Sequence, residues 1–173
     1  LTGIEPYLIT IEVDSRKGLP GFDIVGLPDA AVREARERVK SALQNLGYPL
    51  PNSKIVANLA PAGTRKQGAV YDLPILLALL GAAGHEQFDL ADTAFIGEIG
   101  LAGEIRGVNG VLPMALGAAE LGVRRVVVPA ENAAEAAEAA ATRCQATRPH
   151  SPGGRGCAAG PLCPLSPAAP IPL

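Results

Sequence analysis

The chain has 173 residues, enough for one domain with a buried core and short of two. Hydrophobic residues make up 48% and charged residues 18%, with aromatics at 3% and no Trp, so the core must be built from Ala, Val, Ile and Leu. Lys and Arg number 15 against 17 Asp and Glu, and the net charge of −2 excludes a surface that is basic throughout while leaving room for a local basic patch. No run of about eighteen apolar residues occurs, and the first residues lack the basic, apolar and small-residue succession of a signal peptide. No membrane partner is therefore expected, and the expected location is cytoplasmic.

Leu8 to Val13 (LITIEV) reads as a β-branched strand, Asp14 to Gly18 as a turn, and Phe22 to Val25 as a second strand joined to the first by that turn. Asp29 to Leu46 is the clearest helix: Asp29 is placed to cap it, Val32, Ala35, Val39, Leu43 and Leu46 form one apolar stripe, and Gly47 ends it. Its outer face carries the i,i+4 pairs Arg33–Glu37 and Glu34–Arg38, each worth about 0.2 to 0.5 kcal/mol, which reads as a solvated face. Lys54 to Leu59 is a third strand, and Asn58 to Gly68 (NLAPAGTRKQG) a loop of turn formers and basic side chains. Asp72 is placed to cap a second helix with Pro74 in its first turn and Gly84 at its end. Leu73 to Ala83 is apolar nearly all round and should be buried.

Ala94 to Ile99 is a short strand, and Gly100 and Gly103 punctuate a turn to a partner strand at Glu104 to Val108, which predicts a hairpin. Asn109 or Gly110 then opens a helix with Pro113 in its first turn and Gly122 at its end. Val123 to Val128 follows as an apolar strand of the inner-sheet type, and Ala130 to Ala141 as an Ala- and Glu-rich helix. Interleaved strands and helices give an α/β class bordering on α+β, with helices packed on a sheet.

From Thr142 to Leu173 the composition shifts: Pro is frequent, Asp and Glu are absent, and neither a 3.6 nor a 2 period recurs. This predicts a domain over residues 1–141 and a disordered Pro/Ala/Gly-rich tail over 142–173. Two readings of the tail stand: a natural Pro-rich segment, or the product of a reading-frame change, since Ala, Arg, Gly and Pro codons dominate out-of-frame text in a GC-rich gene. All three Cys (Cys144, Cys157, Cys163) and His150 fall in this segment with no C-x-x-C pair, which excludes a disulfide framework and gives no expected metal site.

Several chemistries have no carrier. No G-x-x-x-x-G-K-[ST] loop is present to hold ATP, and no G-x-G-x-x-G lies between a strand and a helix. His85 is the only His outside the tail, and Ser15, Ser41 and Ser53 lie in no G-x-S-x-G elbow.

Three runs are distinctive: GFDIVGLPDAAVREARERVKSAL at Gly21 to Leu43, NLAPAGTRKQGAVYDLPILLALL at Asn58 to Leu80, and FIGEIGLAGEIRGVNGVLPMALGAAELGVRRVVVP at Phe95 to Pro129. In this order they resemble the N-terminal domain of the ComM/YifB group of magnesium-chelatase-like AAA+ ATPases, over roughly Gly3 to Ala137. The resemblance implies a fold like ribosomal-protein-S5 domain 2 and the proteolytic domain of Lon. It implies hexameric full-length relatives that self-associate and move DNA branches in natural transformation and recombination. It also implies an AAA+ module further along, where ATP and Mg would bind; no such motif occurs in these residues, and no cofactor is expected here. Leu1 begins without an initiator Met, so the chain reads as a fragment or a frame-disrupted product.

A Lon-like fold raises the question of peptidase activity, which needs a Ser nucleophile before a buried helix and a neutral Lys to activate it. By resemblance, Val70 stands where that Ser would be and Leu112 where the Lys would be. Their neighbours Ala69, Tyr71, Val111 and Pro113 are equally unsuited, so no catalytic residue is expected. A binding surface remains: Lys54, Arg65 and Lys66 lie on or beside the one Gly-rich loop that precedes a helix, and they are the candidates for nucleic-acid or subunit contact. Against this, Arg65 and Lys66 can simply be solvated or paired with Asp72 or Glu98. Glu98 and Glu104 flank the hairpin and read as surface residues or partners of Arg106 rather than as paired catalytic carboxylates. The leading expectation is a non-proteolytic accessory domain with weak DNA contact. The alternatives are a Lon-like peptidase, a chelatase-type ATPase subunit, or a gene fragment without a role.

Overall fold

The computed structural model describes residues 5–48, 50–85, 90 and 92–146. Strands β1 (Thr10–Arg16), β2 (Gly21–Val25) and β3 (Lys54–Ala60) form one sheet in the order β1-β3-β2. β1 and β2, joined by a turn, follow each other in sequence but do not pair, because β3 lies between them. It runs antiparallel to β1 (Val13 opposite Ala57) and parallel to β2 (Phe22 opposite Ile55). The expected turn also moves, since Asp14, Ser15 and Arg16 remain in the ladder opposite Val56, Ile55 and Lys54. β3 is the central strand because its inward positions, Ile55, Ala57 and Leu59, are fully apolar and buried. Its outward Asn58 donates to Glu12 across the solvated face at 2.9 Å.

Helices α1 (Ala30–Asn45) and α2 (Asp72–Ala82) cover the inner face. In α1 the expected stripe is buried at Val32, Ala35, Val39 and Leu43, joined by Ala42, and the Asp29 carboxylate caps the helix by accepting from Val32 N–H at 2.8 Å. α2 is buried at Leu73, Ile75, Leu76, Leu79 and Leu80, as a helix apolar all round must be. At about 1.5 to 3 kcal/mol for each fully buried Leu or Ile, α2 and β3 supply much of the main core.

The expected strand from Ala94 to Ile99 divides into β4 (Thr93–Phe95) and β5 (Glu98–Ile99). The physical reason is Gly97, which leaves the ladder to bond the turn before α2 and the helix itself: its N–H donates to Val70 O and its O accepts from Leu73 N–H, both at 3.1 Å. A Cβ there would meet Leu73 and Ile105 side chains at 3.3 to 3.4 Å, so Gly suits the close approach. β5 pairs antiparallel with β6 (Ile105–Arg106) as the expected hairpin.

α3 (Val111–Glu120) opens at Gly110, and β7 (Arg125–Val127) then pairs parallel with β4. The inner-sheet expectation for Val123 to Val128 is corrected, since among the described residues the strand is three residues long and pairs with β4 alone. A short 3-10 turn, Ala130–Asn132, leads into α4 (Ala133–Ala146). The helix runs past the expected boundary at residue 141, through Thr142 to Ala146. The rest of the expected tail, with Cys157, Cys163 and His150, lies outside the described residues. Ile96, Val111, Val128 and Ala136 form a second, smaller core cluster beside the main one. No helix among the described residues is long and apolar enough to cross a membrane.

Candidate functional site

Two loops meet at the start of α1. Gly26 has φ +101 and sits so close to β3 that a Cβ would lie 2.2 Å from the Leu59 carbonyl oxygen. Only Gly fits, and it turns the chain into Leu27, which holds φ +56 with its side chain exposed. The second loop, between β3 and α2, is tied to the first through Lys66. The Lys66 N–H donates to Leu27 O at 3.3 Å and its O accepts from Asp29 N–H at 3.0 Å. Asp29 completes the tie by accepting from Gly68 N–H at 3.4 Å.

Lys66 itself is buried, and its ammonium donates to the Pro61 carbonyl. This overturns the expectation of a solvent-facing Arg65–Lys66 pair: the loop folds Lys66 inward, where it fixes backbone and cannot reach a phosphate or a neighbouring subunit. Arg65 is exposed and has no carboxylate within ion-pair distance among the described residues. Lys54 stands at the opposite end of β3, about 20 Å from its far end at about 3.3 Å per residue, and pairs with Asp23 at 3.6 Å. The three expected contact residues therefore do not form one patch.

Asp72 is corrected as well. It is the first residue of α2 rather than its cap, and the cap position, Tyr71, makes no side-chain bond. Its carboxylate has no exposed surface and is held by Arg38 of α1 through Nε at 2.6 Å and Nη2 at 2.9 Å, with Ile99 N–H at 3.3 Å. Neither Arg65 nor Lys66 pairs with it. Burial pushes the Asp72 carboxyl above its ordinary value against the pull of Arg38 and Ile99 N–H, while the bond to Asp72 raises the Arg38 guanidinium. The Tyr71 phenol is likewise raised, by burial first and then by Tyr7 and Asp29.

Val70 lies in the short 3-10 turn Ala69–Tyr71, packed against the second core cluster, with its carbonyl on Gly97 N–H. Leu112 is the second residue of α3, and its N–H donates to Glu135 Oε1 of α4 at 2.9 Å. Neighbouring Val111 belongs to the cluster that Val70 packs on, so the turn before α2 and the head of α3 meet there through aliphatic groups.

At the hairpin, Glu104 pairs with Arg106, and its own backbone N–H together with Arg106 holds its carboxyl below the ordinary value. Glu98 faces Arg106 in register, and its charge acts on Arg38 and Asp72. Among the described residues no three His, Cys, Asp or Glu side chains are grouped to hold a metal ion.

Sequence reasoning missed the Arg38–Asp72 pair. The available signal was an acid at the head of a helix apolar all round, which burial obliges to find a cation, and Arg38 is the basic residue at the flank of the α1 stripe.

Comparison with known proteins adds the following. The family described as subunit ChlI of Mg-chelatase matches residues 11–132. The YifB protein of Salmonella typhimurium is 48% identical over 136 residues, covering 77% of this chain and 26% of that protein. The competence protein ComM of Haemophilus influenzae is 43% identical over 137 residues, covering 78% of this chain and 26% of its own length. YifB of Escherichia coli is 46% identical over 131 residues, again at 26% of its length. The chain thus spans about a quarter of the length of the curated relatives it matches.

Proposed function

The chain belongs to the magnesium-chelatase-like ComM/YifB family, matching the N-terminal part of its members, and from that premise we propose that it is a non-proteolytic, Lon-like accessory domain of a DNA-processing ATPase. In this reading the domain packs against copies of itself in a hexameric full-length protein of the cytoplasm that migrates DNA branches during transformation and recombination. ATP and Mg belong to the AAA+ module of such a protein, and these residues serve subunit packing and contact with DNA. The fold it implies is that of ribosomal-protein-S5 domain 2.

The observation that carries the reading is the pair Val70 and Leu112. Proteolysis on this scaffold needs a hydroxyl and an amine at those two places, and an isopropyl group and an isobutyl group offer neither a nucleophile nor a base. The turn before α2 packs instead against the second core cluster, as a structural element does. The name of the Haemophilus relative, a competence protein, supports placing the activity of a complete member in DNA uptake.

The purified chain is expected to release no phosphate from ATP and no fragments from casein above a mock-purified control. Turnover of either substrate that disappears when a residue of this chain is changed would overturn the proposal.

A further inference from the structure

Among the described residues, several exposed cations stand beside a carboxylate: Arg16 beside Asp14, Lys54 beside Asp23, Arg106 beside Glu104 and Arg124 beside Asp92. One flank of α1 differs. Arg33, Arg36 and Lys40 are all exposed there. At 3.6 residues per turn, Arg36 and Lys40 lie about 40° apart around the helix and Arg33 about 60° from Arg36, so the three form one stripe.

The expected Arg33–Glu37 pair is not made. Arg33 Nη1 instead donates to the Pro28 carbonyl at 2.8 Å, and Glu37 turns to Arg36 at 3.0 Å. On the other flank, Glu34 leans at 3.8 Å toward Arg38, which is drawn inward to Asp72. Lys40 has no carboxylate within ion-pair distance among the described residues. The stripe extends beyond the helix, because Arg65 is exposed on the loop that Lys66 ties to Leu27 and Asp29, next to the Pro28 carbonyl that receives Arg33. Three cations of α1 are thus exposed on one flank, with Glu37 among them and the half-buried Asp29 at the helix head, and Arg65 is exposed on the adjoining loop of a molecule of net charge −2.

We infer that this stripe, Arg33, Arg36 and Lys40 with Arg65, is a contact surface for the phosphate backbone of nucleic acid; the inference rests on the DNA-processing role proposed above. Its shape selects the ligand class. A single phosphate is bound by donors that converge, whereas these are strung along about 10.5 Å of helix, from Arg33 to Lys40 at about 1.5 Å per residue. One strand of a duplex presents a charge every 3.4 Å or so, so the stripe spans about three successive phosphates. α1 exposes no aromatic side chain on which a base can stack, so binding is independent of sequence and shows no preference for single strands.

The test is fluorescence anisotropy of a labelled 20-base-pair DNA duplex with the 173-residue chain. The parent is compared with the triple variant Arg33→Gln, Arg36→Gln, Lys40→Gln, with Arg65→Gln alone, and with Lys54→Gln as a control at the far end of the sheet. Gln keeps helix propensity at exposed positions, and matching circular dichroism confirms the fold. With four phosphate contacts the parent's affinity falls about 150-fold between 50 and 200 mM salt, a slope of about −3.6. The triple variant, left with Arg65, falls about 3.5-fold, a slope of about −0.9, and binds more weakly than the parent at 50 mM. Arg65→Gln alone flattens the slope by about 0.9, and Lys54→Gln leaves it unchanged.

A triple variant that binds the duplex as the parent does overturns the stripe while leaving the DNA-processing role standing. A parent that binds no duplex at 50 mM salt overturns both the stripe and the DNA contact proposed for this domain. Displacement of the duplex by polyglutamate at equal charge overturns the assignment in favour of an acidic protein surface.

Discussion

A carboxylate without exposed surface at the head of an apolar helix has to be matched, and Arg38 matches Asp72 with two N–H groups at 2.6 and 2.9 Å. The two partners are not equally dependent. Arg38 keeps 20% of its side chain exposed and has Glu34 at 3.8 Å, so it can turn to water if Asp72 is lost. Asp72 would keep only Ile99 N–H. Arg38→Met is therefore expected to destabilise by about 3 to 5 kcal/mol and Asp72→Asn by clearly less, measured by urea unfolding. Equal losses would contradict the asymmetry.

The pH dependence follows from the raised Asp72 pKa. The folded state binds this proton more tightly than the unfolded chain, so its contribution is fully present below the ordinary carboxylate value and is lost as pH rises through the folded value. Asp72→Asn should remove that part of the slope. A residual slope equal to the parent's would assign it to another group.

The elements show what periodicity can and cannot convey. α1 was legible from one stripe and one cap because both are local, and the same holds for the β5–β6 hairpin, whose partners are joined by a Gly-punctuated turn. The position of β3 between β1 and β2 was not legible, since pairing order depends on which strand can bury both its neighbours and its inner face. Nor was Lys66, because a basic residue in a Gly-rich loop looks solvated until the Leu27 and Asp29 backbone closes over it. Burial thus removes Lys66 from the expected contact set, while Lys54 and Arg65 stay exposed at separate places, and the inward turn of Arg38 leaves Arg33, Arg36 and Lys40 as the outward cations of α1.

The head of α3 is a further tertiary feature without local signature. Asn132 Oδ1 accepts from Val108 N–H at 2.9 Å and its amide donates to Val108 O at 2.8 Å, while Glu135 accepts from Leu112 N–H and from Asn132. Gly110 supplies no side-chain cap, so α4 caps α3 from outside. Asn132→Ala is expected to cost about 2 kcal/mol, since it leaves both Val108 groups without this partner, and to speed amide exchange at Val108 and Leu112. Unchanged exchange there would mean that α3 is held by packing alone.

At the scale of the molecule, two core clusters are joined by backbone as well as by contact. Phe95, the last residue of β4, packs on the main cluster and Ile96, which follows it, belongs to the second, so adjacent residues feed both. Ile96 N–H donates to Val127 O at 3.0 Å, and Gly97 bonds Val70 of the turn and Leu73, the second residue of α2, both at 3.1 Å. Opening the second cluster would therefore release the hydrogen bonds that anchor α2, and the clusters should unfold together. Native-state amide exchange is expected to give Ile96 and Leu79 opening free energies equal within about 1 kcal/mol. Val128→Ala, which removes two buried methyl groups from the second cluster, should lower both by the same amount, about 2 kcal/mol. A fall confined to Ile96, with Leu79 unchanged, would show that the second cluster opens independently. The aliphatic contact of Val70 with that cluster would then be a hinge between two cores rather than a seam within one.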